Sequence, residues 1–154
     1  MSGRRTTTCW TQLLVGIPGI RPPVRRPYMD QLGYYSYQPL YVPEELGGLS
    51  AELFVRAAVA EGVPLSRPRS APLHCQPVFR DPGWHSGTFG PPVGKGAGYR
   101  HYRADEFPGS LRYVERALRL PVHSTDIRGH VEHWAKGLAK VAAQADTLRP
   151  HDSG

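Results

Sequence analysis

The stretch PLHCQPVF, from Pro72 to Phe79, sets a histidine and a glutamine between two prolines. Proline fixes its own φ and pushes the residue before it out of the helical region. The expectation is a stiff, extended piece of chain that presents His74 and Gln76. A stiff loop that holds out polar side chains suggests a use for them. A lone loop histidine is nonetheless more often structural than functional.

Other groups with chemical potential lack the spacing that chemistry needs. GTFGPPVGKGAGY, residues 87–99, contains Gly94-Lys95 among many glycines. A phosphate loop needs a glycine where Phe89 stands and a hydroxyl where Gly96 stands, and Pro91 and Pro92 remove two N–H donors. A flexible loop is the better reading. The glycines around Lys95 follow no strand, so they make no dinucleotide fingerprint. His130 and His133 are three apart on a helical pattern, with His123 before it. Zinc can use such spacing, but no cysteine or carboxylate completes a set. They read as surface histidines. Cys9 and Cys75 have neither metal-ligand nor redox spacing, which suits a reduced, cytoplasmic chain. No Ser–His–Asp set or carboxylate pair stands out.

The 154 residues suit one domain, and 40% are hydrophobic, enough for a core. The 17 glycines and 16 prolines predict long loops between few elements. The net charge of +6 is carried mainly by arginine, the lysines being Lys95, Lys136 and Lys140. The arginines are scattered, without the aromatic interleaving of a single-strand groove. They read as a solvated surface, and nucleic acid is not the expected partner. The arginines near the start precede no continuous apolar run, so neither a leader nor a membrane span is expected.

The elements that must position His74 and Gln76 follow from pattern. Residues 8–15 read as the last turns of a helix, with Trp10, Leu13 and Leu14 on one side and Gly16 and Pro18 ending it. Residues 16–33 read as loop. YYSYQPLYV, 34–42, is β-prone and broken by Pro39. Ser50 caps a helix through about Gly62, with Glu52 in its first turn and a staple from Leu49 to Phe54. Residues 63–65 and 118–122 read as short strands. Residues 66–103 show no periodicity, and a loop this long is commonly functional. Pro108 opens a helix with Leu111, Val114 and Leu118 on one face. A long helix begins near Thr125 or Asp126, with Ile127, Val131, Trp134, Leu138 and Val141 as its apolar stripe. The fold class is α/β, a small sheet of about three strands with packed helices.

Five phrases occur in order: LLVGIPGIRPPVRR, YYSYQPLYVPEELGGLSAELFVRAAVAEGVPL, PLHCQPVFRD, FPGSLRYVERALRLPVH and the long last helix. Together they resemble the C-terminal part of the sugar (DegT/StrS-type) aminotransferases, a pyridoxal-phosphate family of fold type I. The resemblance runs from about Leu13 to Ala145. It implies a remnant of an interdomain helix over 1–15, a small C-terminal aminotransferase-like domain over 16–146 and a flexible tail over 147–154. It also implies that His74 and Gln76 bind substrate, a keto-sugar or keto-cyclitol with or without a nucleotide tail, through its hydroxyls or its phosphate.

In that family a large N-terminal domain carries the lysine that forms a Schiff base with pyridoxal phosphate. Lys95, Lys136 and Lys140 stand in no stretch resembling that lysine's, and no aspartate stands where it would pair the pyridine nitrogen. The resemblance therefore implies substrate binding and domain closure, with no catalytic, cofactor-binding or metal residue here and no covalently held cofactor. The partner is a separate large domain or a second copy, and the chain alone is expected to be inactive. Trp10, Leu13 and Leu14 would then lie on an exposed face that met the large domain. The alternative is a non-catalytic remnant or binding module that turns its basic surface to an acidic partner.

Overall fold

The computed structural model describes residues 9–29, 35–68, 70–80, 102–123 and 125–152. Two compact units divide the chain. One is built from both flanks, up to Pro68 and from Arg116 onward, and the other from Arg69 to Glu115.

In the first unit, helix α1 (9–14) buries Trp10 and Leu14 completely. The Trp10 ring stacks on Tyr37 at 6.2 Å and on Trp134 at 6.0 Å, and its Nε1–H donates to the Pro121 carbonyl at 3.3 Å. These residues are therefore core, not the exposed face expected for them. The Tyr37 ring, buried with them, shares a 2.8 Å hydrogen bond with Thr11 Oγ1. Burying an aromatic with its polar tip matched is the low-cost way to fill a core.

Strand β1 (Ile20–Arg21) pairs antiparallel with β2 (Leu40–Tyr41), Ile20 opposite Tyr41 and Arg21 opposite Leu40. β1 lies inside the stretch expected to be loop. It stops where Pro22 and Pro23 offer no N–H to a ladder. Beyond this pair, the expected three-stranded sheet is replaced by single bridges. Tyr37 bridges to Leu120, Leu40 to Ala117, and Ser66 to Arg119. Residues 117–120 thus lie between 37–40 on one side and Ser66 on the other. Pro39, Pro64 and Pro121 explain why the pairing breaks up, since each removes one donor from the segment it sits in. Residues 63–65 are not a strand: Leu65 N–H donates back to the Val63 carbonyl at 2.7 Å.

Helix α2 (Ala51–Ala60) forms as its local signals require. Ser50 is extended at φ −66°, ψ 149°, and its hydroxyl accepts from Leu53 N–H at 3.2 Å. Leu49 and Phe54 are both fully buried, as a staple demands. Gly62 sits at φ +78°, where a side chain would be strained.

Helix α5 (Arg128–Ala143) starts later than expected, because the Asp126 carboxylate accepts from Arg128 N–H at 3.1 Å and fixes the first turn there. Its stripe buries Val131, Leu138 and Val141, while Trp134 is half-buried against Trp10. α5 packs on α2 and meets Val63 at Gly137, where a Cβ would come within 2.8 Å of the valine Cγ2.

Within 147–154, expected to be a flexible tail, residues 147–152 carry the end of helix α6 (Ala145–Leu148) and a 3-10 turn (Arg149–His151). Asp152 then accepts from Ser50 N–H and Ser50 Oγ, both at 2.6 Å.

In the second unit lie a 3-10 turn (Leu73–Cys75), helix α3 (Pro77–Arg80), a 3-10 turn (Ala104–Glu106) and helix α4 (Pro108–Arg116), whose last residue belongs to the first unit. Leu118, expected on the inner face of α4, lies past its end and is buried in the bridged segment. The glycine-rich loop 87–99 and Lys95 lie outside the described residues.

Candidate functional site

The backbone around His74 follows from its two prolines, but not as a continuous extended run. Pro72 is extended, at φ −51° and ψ 147°. Cys75 N–H then donates to the Pro72 carbonyl at 2.8 Å, and Gln76 N–H to Leu73 at 3.1 Å, closing a 3-10 turn. Only Ala71 and Gln76 precede a proline, so only they are forced from helical space. Gln76 accordingly is extended, at φ −68° and ψ 144°, and α3 begins at Pro77. His74 therefore sits on a turn between two extended hinges.

The turn fixes both polar side chains. His74 Nε2 lies 3.1 Å from the Ala104 carbonyl, and a carbonyl only accepts, so Nε2 carries the proton. The ring also packs on Phe107, with centroids 4.7 Å apart, and Phe107 meets Tyr102 at 5.7 Å. Gln76 Nε2 donates to the Ala71 carbonyl at 2.9 Å, which decides which end of its amide is oxygen. His74 and Gln76 thus lie on one short segment, each half-buried and each tied to a different carbonyl. The tie to Ala104 spans 30 positions in sequence and joins the two halves of this unit.

The Ala104 turn has its own electrostatics. Arg103 N–H donates to Glu106 Oε1 at 3.0 Å, and the Arg103 guanidinium grips Asp105 at 3.0 and 2.6 Å. Hydrogen bonding from Arg103 holds the Asp105 carboxyl below the ordinary aspartate range. The guanidinium beside His74's carbonyl partner is thus already committed to a carboxylate.

Next to His74, Leu73 is 70% exposed and walls a shallow pocket of about 340 Å³ with Pro72, Gly109, Ser110, Tyr113 and Val114. The α4 residues fall at i, i+1, i+4 and i+5, one face of the helix. The lining is apolar apart from the Ser110 and Tyr113 hydroxyls, and burial raises the Tyr113 pKa, keeping it neutral. Ser110, Tyr113 and Arg103 carry no sequence signal of their own. They come to the site only because the chain returns to His74 at residue 104.

The remaining candidates do not gather. Cys9 and Cys75 are both free thiols, and burial raises the Cys9 thiol pKa. His130 is exposed and packs on Trp134 at 5.7 Å. Among the described residues no three His, Cys, Asp or Glu side chains are grouped to hold a metal, and no helix is long and apolar enough to cross a membrane.

The helices and minimal two-stranded sheet match part of an aminotransferase-like fold. The chain is similar to the solved aminotransferase TlmJ from Streptoalloteichus hindustanus, with a TM-score of 0.64 and 21% identity, over 94% of this chain and 32% of that one. It thus spans about a third of that protein's length. No protein-family profile matches the chain, and no curated protein does.

Pyridoxal phosphate, implied by the sequence resemblance, is held covalently by a lysine, and the described residues do not fit that role. Lys140 Nζ is bound to both carboxylate oxygens of Glu61 at 2.8 Å, and Lys136 is exposed on α5. The pocket lining offers two hydroxyls and no amine. No chemical step is therefore assigned to the cofactor on this chain.

Proposed function

We propose that the chain is the small, C-terminal portion of a pyridoxal-phosphate aminotransferase of the sugar (DegT/StrS) type, acting in the cytoplasm on a keto-sugar or keto-cyclitol. Its part is to bind the substrate and close over it, with His74 and Gln76 as substrate contacts. The lysine that carries the cofactor belongs to a large domain outside these 154 residues, whether in another chain or in a longer form of this one. The observation that supports this reading most is the fold likeness itself, 94% of this chain against 32% of an aminotransferase. The reading of a binding module for acidic partners is weaker, because part of the basic surface is internally matched. Arg21, Arg67, Arg116, Lys140 and Arg149 are ion-paired with Glu45, Glu52, Glu44, Glu61 and Asp146.

Co-expression with a lysine-bearing large domain of a sugar aminotransferase tests the proposal. Amino transfer from glutamate to a keto-sugar is expected from the mixture and from neither part alone. The chain by itself, mixed with pyridoxal phosphate and borohydride, is expected to give no stoichiometric adduct at one lysine. Such an adduct, or a mixture that never gains activity, would overturn the proposal.

A further inference from the structure

The hydrogen bonds that hold the His74 turn together also decide what it can bind. Nε2–H is spent on the Ala104 carbonyl, 3.1 Å away, and the ring packs on Phe107. In the neutral imidazole the other nitrogen, Nδ1, then bears a lone pair and no proton. It accepts; it cannot donate. Gln76 has one amide N–H committed to Ala71, leaving its Oε1 as an acceptor and one N–H as a donor. The Arg103 guanidinium, next in sequence to Ala104, is occupied by Asp105, and the neighbouring pocket has neutral walls.

Resting on the reading of His74 as a substrate contact, we infer that it binds as a hydrogen-bond acceptor through Nδ1. The site therefore selects a donor group, a hydroxyl or an ammonium, and turns away phosphate, sulfate and carboxylate. Of the two substrate features considered for His74, the ring hydroxyls or a phosphate tail, this selects the first. An anion would meet a repelling lone pair at Nδ1 and a single free amide N–H at Gln76, too little to offset its desolvation. A hydroxyl or an ammonium finds its complement at once.

The test needs neither turnover, cofactor nor partner, so it can fail while the aminotransferase reading stands, and the reverse. First, 15N NMR of the imidazole at mildly alkaline pH reports the tautomer. His74 is expected with Nε2 protonated and Nδ1 bare. Second, the full chain is titrated with glucosamine, with myo-inositol and with sulfate, which carries only acceptors. The His74 and Gln76 side-chain signals are expected to move with the first two and to stay put with sulfate. Third, His74→Gln keeps a donor for Ala104 and removes the Nδ1 acceptor. It is expected to weaken glucosamine binding about five- to tenfold. A Nδ1-protonated His74, a shift with sulfate, or no shift with either donor probe would overturn the inference. The first two measurements use the unaltered protein and stand even if the variant fails to fold.

Discussion

Tyr41 shows how a single buried hydroxyl ties distant parts of this chain together. Its O–H donates to the Leu49 carbonyl at 2.8 Å, just before the cap of α2, and its ring packs on Phe54 at 4.9 Å. Burial first, and the Asp152 carboxylate second, raise its pKa far above the ordinary 10.0. A raised folded-state pKa means that the native state holds its proton longer than the unfolded chain does. The contribution is therefore complete below about pH 10 and is lost as pH rises toward the folded value. Tyr41→Phe is expected to cost about 1 kcal/mol at neutral pH, the worth of one buried hydrogen bond. The same variant should flatten the fall in stability above pH 10, which urea melts at pH 8 and at pH 10.5 would compare. Tyr113, also raised by burial, keeps its own share of that slope. An unchanged alkaline slope in Tyr41→Phe would assign the effect elsewhere.

Among the elements, α5 rests on one close approach. Glycine in a helix interior costs about 1 kcal/mol against alanine, so Gly137 needs a reason. Its reason is Val63, whose Cγ2 would stand 2.8 Å from an added methyl. Gly137→Ala is accordingly expected to destabilise the chain by about 1–3 kcal/mol despite its better helix propensity. A rise in the melting temperature would mean that α2 and α5 pack more loosely than described. The helices were the legible part of this sequence, because caps, staples and stripes are local. Ser50, Leu49, Phe54 and the 131–138–141 stripe declare themselves within a few positions. The sheet was not legible in the same way. Its pairings, Tyr37 with Leu120 and Ser66 with Arg119, join residues far apart and rest on single bridges with no alternating run behind them. At the site, the sequence pointed to His74 and Gln76 but not to the turn that carries them. Ala104, which fixes the histidine tautomer, is an alanine carbonyl that no side-chain pattern could announce.

For the whole molecule, the two flanks of the chain build one unit and the middle builds the other. The C-terminal end is integral to the first of these. Asp152 accepts from the Ser50 backbone and hydroxyl, and so supports the residue that caps α2. The segment 117–120 bridges to residues on both sides of it, so the first unit cannot complete these bridges until the chain has come back from the second. The core that results is lined by Trp10, Tyr37, Tyr41 and Phe54, with Leu14 and Leu138 filling between them. An apolar end facing a missing partner is thus no part of this core. Among the described residues, Val15, Val24 and Tyr35 are exposed large side chains of this unit.

The bridge between Ser66 and Arg119 makes the middle of the chain exchangeable. It fastens the two strands of backbone that lead out to His74 and back, through paired hydrogen bonds of 3.0 and 2.7 Å. In mechanical terms the first unit is a socket and residues 69–115 a cartridge whose two ends it holds together. Replacing residues 69–115 by a short glycine-serine linker is expected to leave a cooperatively unfolding protein that keeps the Trp10 environment, read by tryptophan fluorescence and near-UV circular dichroism. A molten product would mean that the socket needs its cartridge to form. If the socket holds, the ligand preference proposed for His74 is expected to change when a different middle segment is grafted in, with no repair needed in the core.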